Sequence, residues 1–181
     1  MRVLVVGTSG AGKTTFAAEL AAATHSPCIE LDALHWGPQW VAVPTADFRQ
    51  AVDQASAGPH WVADGNYSAV RDVLWPRATH VVWLNYGRWT VCGRVLSRTL
   101  GRVLRRTELF HGNRESLRMA LLSRDSILLW SWTSFARNRR KFAALRADPS
   151  YAHLQWTELT HPSQAQAWIE QHTAQRTAPG R

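Results

Sequence analysis

Residues 7–14 constrain the fold of this chain more than any other segment. They read Gly-Thr-Ser-Gly-Ala-Gly-Lys-Thr and match the pattern G-x-x-x-x-G-K-[ST] in full. A β-branched run at residues 2–6 precedes them and a helical pattern follows, which is the context that makes the pattern specific. Glycines let the backbone curl so that successive N–H groups point at phosphate oxygens, and the start of the helix adds the positive end of its dipole. The sequence therefore predicts a nucleoside triphosphate site between a strand and a helix.

Residues of this loop have separate expected roles. The Lys13 ammonium can reach the β- and γ-phosphates, and the Thr14 hydroxyl can bind Mg²⁺. We therefore expect ATP and Mg²⁺ as cofactors. The residues expected to contact ATP are Gly7, Ser9, Gly10, Ala11, Gly12, Lys13, Thr14 and Thr15.

Strand and helix patterns alternate along the rest of the chain. Strand candidates lie at residues 27–31, 61–63, 80–84 and 153–159, and helical patterns at 14–23, 46–57, 89–106, 115–129, 135–146 and 163–172. This alternation is typical of an α/β domain with a mainly parallel sheet. A length of 181 residues fits one domain, 1–181. We expect residues 88–146 to form an Arg-rich helical insertion and residues 173–181 a flexible tail.

Two carboxylates follow predicted strands. Asp64 follows the strand at 61–63 and Asp32 ends the strand at 27–31. Because ligands of parallel α/β sheets bind beyond the carboxyl ends of the strands, both should converge on the mouth of the loop. Asp64 is expected to hold Mg²⁺, and Asp32 to orient or deprotonate an acceptor hydroxyl. A turn-forming role for Asp64 and a capping role for Asp32 are the alternatives. Asn85 follows the fourth strand and, being uncharged, can position a ligand without acting as a base.

Basic residues are concentrated in one segment. Residues 88–146 contain 14 basic residues and three acidic ones, a net charge of +11, whereas the remaining residues contain seven basic and ten acidic ones, a net charge of −3. All basic residues except Lys13 and Lys141 are arginine. This asymmetry indicates a region that meets a polyanion, either nucleotide phosphates or nucleic acid.

Four arginines of that segment share one side of a predicted helix. They are Arg94, Arg98, Arg102 and Arg105. At about 100° per residue they fall within an arc of about 80°, and Leu96 and Leu100 fall opposite, on the side expected to pack. Arginine suits phosphate because its planar fork binds two oxygens. We expect a lid in which Arg94, Arg98 and Arg102 neutralise a transferring phosphoryl group; a solvated face and a nucleic-acid surface are the alternatives.

Other features narrow the class of protein. Cys28 and Cys92 are too few for a disulfide framework, and no spacing of zinc ligands occurs. No apolar run approaches the roughly 18 residues of a membrane span, and a loop starting at Gly7 leaves no room for a signal peptide. We expect a cytoplasmic protein without membrane contact, either a monomer or a homodimer.

Two tryptophans follow Asp32 and have two alternative roles. Trp36 and Trp40 either stack on an acceptor or pack on the core edge.

Four motifs occur in order along the chain: the loop at 7–14, Glu-Leu-Asp-Ala-Leu-His-Trp at 30–36, Asp-Gly-Asn-Tyr at 64–67 and Trp-Leu-Asn-Tyr-Gly-Arg-Trp at 83–89. Together they resemble the adenylate kinase-like P-loop kinases, and most closely the branch labelled DNA topology modulation proteins. The resemblance implies a P-loop NTPase fold: three α/β/α layers and a five-stranded parallel sheet of order 2-3-1-4-5. It also implies an acceptor site between Asp32, Asp64 and the lid. Adenylate kinases continue their Asp-Gly with Phe-Pro-Arg, whereas this chain continues with Asn66-Tyr67-Ser68, which disfavours AMP as acceptor unless Arg71 substitutes.

The sequence thus predicts an ATP-dependent phosphotransferase with a small acceptor, such as a nucleoside, a nucleotide or a similar hydroxylated molecule. The expected catalytic residues are Lys13, Asp32, Asp64, Arg94, Arg98 and Arg102, and the expected metal ligands are Thr14 and Asp64. A nucleic-acid-associated ATPase is one alternative, with DNA as partner. A nucleotide-binding regulatory or toxin-like protein with weak turnover is another.

Overall fold

The computed structural model describes the backbone of residues 1–105 and 127–177, and the side chains of residues 1–97 and 135–173. Within these ranges one five-stranded sheet has the order β2-β3-β1-β4-β5, and every neighbouring pair is parallel. The strands are β1 (Arg2–Gly7), β2 (Cys28–Glu30), β3 (Trp61–Asp64), β4 (His80–Leu84) and β5 (Gln155–Leu159). The predicted fold class and strand order are confirmed.

Helices connect the strands and cover both faces of the sheet. They are α1 (Lys13–Ala23), α2 (Leu31–His35), α3 (Thr45–Ala55), α4 (Arg71–Leu74), α5 (Arg88–Arg105), α6 (Ile127–Ala147) and α7 (Pro162–Thr177). Helix α6 is continuous across residues 130–134, where the sequence predicted a gap between two helices. Of the helix predicted at residues 115–129, positions 115–126 lie outside the described residues. No helix of the described chain is both long and apolar enough to cross a bilayer.

The apolar strands supply two separate cores, one on each face. Along β1, Val3 and Val5 belong to one core while Leu4 and Val6 belong to the other. This is the two-residue period of a strand that is buried on both sides. We call the face built around α1, α5 and α7 the Phe16 face, and the face built around α2, α3 and α4 the Trp61 face.

Asn85 has a structural contact at the end of β4. Its side chain is 7% exposed and donates from Nδ2 to Glu158 Oε1 at 2.6 Å. Glu158 also accepts from Arg146 of α6 at 3.2 Å. Asn85 therefore joins β4 to β5 and, through Glu158, to α6.

Candidate functional site

The loop after β1 forms a glycine cradle. The Ala11 N–H donates to Thr8 O at 3.0 Å, and Gly10 and Gly12 have φ of +82° and +91°. A Cβ on Gly10 would lie 2.1 Å from Cγ2 of Val95 in α5. Positive φ and this close approach both require glycine. The curled conformation that the motif predicted is therefore present, and it is packed against α5.

Helix α1 begins at Lys13, and its first turn contains no acidic residue. Its free N–H groups and the positive end of its dipole are therefore available to an anion. The Lys13 ammonium lies back over the loop, with Nζ 3.5 Å from Thr8 O. Both features fit a polyphosphate lying across the loop.

Asp64, the last residue of β3, is joined to the loop. The Thr14 hydroxyl donates to Asp64 Oδ2 at 2.5 Å. Asp64 is 5% exposed, and its Oδ1 is buried without a hydrogen-bond partner in the described chain. Burial raises the pKa of this carboxyl, the Lys13 charge and the Thr14 hydrogen bond oppose the rise, and Asp32 adds to it. A buried carboxylate oxygen without a partner fits a cation or its water shell at this position.

Glu30 adds a negative charge that the sequence analysis did not consider. It ends β2 and pairs in register with Asp64. Burial raises the Glu30 pKa, and the charges of Asp64 and Asp32 raise it further. Among the described residues, no group of three or more His, Cys, Asp or Glu side chains is arranged to hold a metal by itself. The donor set instead suits Mg²⁺, which usually takes one or two protein ligands and completes its shell with phosphate oxygens and water.

Asn66 is a site residue to which sequence reasoning gave no role. Its Nδ2 donates to Gly7 O at 2.6 Å, and Gly7 N–H donates to its Oδ1 at 3.4 Å. These two bonds fasten the segment after β3 to the start of the glycine loop. The Asp-Gly-Asn-Tyr motif was the signal that could have identified it.

The predicted position of Asp32 at a strand end is wrong. Strand β2 ends at Glu30, and Asp32 lies in the short helix α2, where it is exposed. The Tyr67 hydroxyl donates to Asp32 Oδ1 at 2.6 Å. Burial, followed by this hydrogen bond, raises the Tyr67 pKa far above its ordinary value, so the phenol stays protonated. Asp32 is thus held by Tyr67, three residues beyond Asp64.

Aromatic rings gather around Tyr67. The His35 ring lies 4.6 Å from the Tyr67 ring and 4.7 Å from the Trp36 ring, and Trp36 lies 6.1 Å from Trp40. Both tryptophans are half-buried. The Trp36 backbone N–H donates to Asp32 O at 3.0 Å, so Trp36 lies beside Asp32.

Arg94 is the member of the predicted stripe whose side chain the structure describes. Its Nη1 donates to Ala11 O at 2.9 Å, and its guanidinium lies 5.1 Å from the Tyr86 ring centroid. The side chains of Arg98 and Arg102 lie outside the described residues, so their predicted phosphate contacts stay predictions. Leu96 was expected on the packed side of α5 but is 42% exposed. Val91 and Val95 are buried instead, because Gly10 packs against that side of the helix.

Comparison with known proteins supports the fold. The model of the family "ATPase family associated with various cellular activities (AAA)" matches residues 3–62, which run from β1 into β3. No curated protein sequence matches the chain. Two solved structures share its overall shape. A gluconokinase from Sinorhizobium meliloti 1021 is 17% identical with a TM-score of 0.50, over 97% of this chain and 94% of that one. An unliganded sugar kinase from Janibacter sp. HTCC2649 is 20% identical with a TM-score of 0.50, over 98% and 95%. The chain therefore has a P-loop NTPase fold.

Proposed function

We propose that this protein is an ATP-dependent kinase that phosphorylates a small molecule. The observation that carries the proposal is the Thr14–Asp64 contact: it joins the glycine loop to a carboxylate whose other oxygen is buried without a hydrogen-bond partner in the described chain. Asp32 is joined to the segment that follows Asp64, because the Tyr67 hydroxyl donates to it. The kinase names of the two similar structures support the same reaction class.

The geometry supports a separate role for each of these residues. The loop amides and Lys13 hold the triphosphate, and Thr14 and Asp64 would hold Mg²⁺, which neutralises phosphate charge when bound. Asp32 accepts the proton of an acceptor hydroxyl as its oxygen bonds to the γ-phosphorus. The bond from that phosphorus to the bridging oxygen breaks, and ADP leaves. A loose transition state needs positioning and charge neutralisation more than covalent help.

We further propose that Arg94, Arg98 and Arg102 belong to a lid that closes over the triphosphate. Arg94 already touches the loop at Ala11. Bound ATP should therefore slow tryptic cleavage between Arg94 and Arg118. Equal cleavage rates with and without Mg²⁺-ATP would contradict the lid.

We also propose that the chain belongs to the branch of DNA topology modulation proteins within the adenylate kinase-like kinases. The support is that all four motifs occur in order in one chain. Residues of three of these motifs also make contacts in the structure: Asp32 with Tyr67, Asn66 with Gly7, and Asn85 with Glu158. Asn66 stands where adenylate kinases begin Phe-Pro-Arg, and its side chain is engaged with the loop. AMP is therefore not the acceptor that we favour.

The deciding experiment combines calorimetry with Mg²⁺-ATP and an ADP-release screen over sugars, sugar acids, nucleosides and nucleotides, with ³¹P detection of product. Lys13→Ala should lose at least about 100-fold in turnover, because it removes a charge that stabilises the transferring group. Arg49→Ala is the control, since it removes an exposed cation paired with Asp72 far along the chain from the loop. Unchanged turnover in Lys13→Ala would refute the site.

One observation keeps a nucleic-acid role as the second candidate. Arg137, Arg139 and Arg140 are exposed on α6, and none is ion-paired with an acid in the described chain. Binding to duplex DNA would weaken with salt, with a log–log slope of about −0.9 for each phosphate neutralised. A flat salt dependence would exclude it.

A further inference from the structure

The segment after β3 links the glycine loop to Asp32 through two consecutive residues. Asn66 is bonded to the loop, from its Nδ2 to Gly7 O at 2.6 Å. The next residue, Tyr67, donates its hydroxyl proton to Asp32 Oδ1 at 2.6 Å. The position of the Asp32 carboxylate relative to the loop therefore depends on this short segment.

A second contact holds the start of α2 against the same segment. Leu31, the residue before Asp32, is buried and lies directly over Gly65. Gly65 has a φ of +144°, and a Cβ there would lie 2.8 Å from Leu31 Cβ. Glycine is required for so close an approach at this φ. The backbone of α2 is thus fixed beside Asp32, and the orientation of the Asp32 side chain depends on its own contacts.

The Asp32 carboxylate is held at one oxygen. Asp32 is exposed, and an exposed side chain without a bond would sample several rotamers. In the described chain, the Tyr67 hydroxyl is the one side-chain donor to this carboxylate. Hydrogen bonds to an ionised acceptor are about twice as strong as neutral ones. The bond therefore orients Oδ1 and leaves Oδ2 open to a ligand.

The Tyr67 hydroxyl is itself oriented. Burial and then the Asp32 hydrogen bond keep the Tyr67 pKa far above its ordinary value, so the phenol stays a donor. The Trp36 side chain also hydrogen-bonds Tyr67. Because indole carries only an N–H donor, this bond ends on the phenol oxygen and leaves the phenol proton for Asp32. Two successive hydrogen bonds thus lead from Trp36 to Asp32, and each strengthens the other.

Packing alone does not require this hydroxyl. The Tyr67 ring lies 5.2 Å from the Phe48 ring and 4.6 Å from the His35 ring, and phenylalanine would make the same contacts. Tyr67 is half-buried, and removing a hydroxyl from water is unfavourable unless it is bonded. Its acceptor is an exposed carboxylate that water alone could solvate. The effect of the hydroxyl on Asp32 explains its presence better than folding does.

We propose that Tyr67 is a positioning residue for the acceptor base: its hydroxyl holds Asp32 Oδ1, so that Oδ2 receives the proton of the acceptor hydroxyl. This inference rests on the proposed kinase function. As the proton passes to Oδ2, the acceptor oxygen bonds to the γ-phosphorus and the bond from phosphorus to the ADP oxygen breaks. A displacement of about 1 Å in a reacting group can cost on the order of 100-fold in rate, so the orientation of this one carboxylate controls transfer.

A turnover experiment removes the hydroxyl and keeps the ring. Tyr67→Phe should fold with a nearly unchanged Tm. With the acceptor that gives the fastest Lys13-dependent transfer in the screen, its kcat/KM should fall roughly 10- to 100-fold, at unchanged Mg²⁺-ATP affinity. Trp36→Phe removes only the indole donor and should cause a smaller loss. Tyr151→Phe is the matched control and should change nothing, because that ring packs on Trp75 in the segment before β5.

A double substitution distinguishes positioning from a general structural role. Transfer by Asp32→Ala is measured in single turnover with excess enzyme, since it will be slow. Adding Tyr67→Phe to this variant should cause no further loss, because the hydroxyl acts only through Asp32. A structural role would lower the rate by the same factor with or without Asp32. Equal factors would therefore overturn the inference.

An NMR experiment needs no acceptor. The chain contains three tyrosines, so ¹³Cζ-tyrosine labelling gives resolvable signals, and Tyr67→Phe identifies the signal of Tyr67. Asp32→Ala should shift the Tyr67 signal, because the charge-assisted bond is lost, and should leave the Tyr151 signal in place. A Tyr67 signal that does not respond to Asp32→Ala would overturn the inference.

The outcomes separate the two proposals. If no acceptor in the screen shows Lys13-dependent transfer, the kinase function is defeated, whatever the Tyr67 signal does. Transfer that requires Lys13 and Asp32 but is unchanged in Tyr67→Phe defeats only the positioning role.

Discussion

The two faces of the sheet use the same strands for different purposes. On the Phe16 face, Val3 and Val5 share a core with Leu20 of α1 and Trp168 of α7. On the Trp61 face, Leu4 and Val6 lie beside two half-buried cations, Arg71 and Lys141. The strand residues are equally apolar, so the covering helices decide whether charged side chains lie beside a face.

The largest expected effect compares one leucine from each face. Leu20 and Leu74 are 0% and 2% exposed, and truncating either to alanine should cost about 2–5 kcal/mol of unfolding free energy. Chemical denaturation measures that loss. Only Leu74→Ala should also raise the acceptor KM, because Leu74 lies beside Tyr67, which holds Asp32. An equal KM increase in Leu20→Ala would remove the distinction between the faces.

The next largest effect is expected at Gly10, where the glycine loop packs against α5 on the Phe16 face. Gly10→Ala should cost about 1–3 kcal/mol and weaken Mg²⁺-ATP binding, because the new Cβ collides with Val95 at a positive φ. Thermal melts and calorimetry measure the two losses. Gly87→Ala is the matched control, since a Cβ there has no neighbour within 4 Å. If Gly10→Ala changed neither the stability nor the Mg²⁺-ATP affinity, packing against α5 would not support the loop.

Asp64 ends β3, and we expect its replacement to increase stability while abolishing activity. Because its native pKa is raised, ionised Asp64 opposes folding at neutral pH, and this cost disappears once the carboxyl is protonated in both states. Asp64→Asn should therefore raise Tm at pH 7, with the gain shrinking towards acid pH, and should abolish turnover. Asp72→Asn is the control of opposite sign, since Arg49 lowers the Asp72 pKa. A lower Tm for Asp64→Asn at pH 7 would contradict the burial argument.

The smallest effect is expected on the outer side of α5. Gly93 is exposed within the helix, and a Cβ there has no neighbour within 4 Å. Gly93→Ala should stabilise the protein by about 0.5–1 kcal/mol, seen as a higher denaturant midpoint, without changing ATP affinity. Weaker ATP binding in this variant would place that side of α5 in contact with the nucleotide.

Local patterns predicted the loop and the parallel strands because their signals lie within a few neighbouring residues. The loop needs glycine at Gly10 and Gly12, and buried strands need β-branched runs such as residues 2–6. Strand order came from the family resemblance. The position of Asp32 was predicted wrongly because periodicity does not separate the end of a three-residue strand from a one-turn helix.

The proximity of Arg71 and Lys141 could not be predicted in the same way. Arg71 and Lys141 are 70 positions apart in the sequence and meet only because α4 and α6 cover the same face. The packed side of α5 was predicted wrongly for a related reason. Helical angles place Leu96 on the side opposite Arg94, but the contact of Gly10 with Val95 decides which side of that helix is buried.

Helix α6 belongs to both cores: Phe135 packs on the Phe16 face, while Phe142 packs on the Trp61 face. Lys141 is six residues, or about 9 Å of helical rise, beyond Phe135. A hydrogen-bonded helix of that length hardly compresses, so a shift at Phe135 would be transmitted to Lys141 and Phe142. The packing of the two faces would then be mechanically coupled through this one helix.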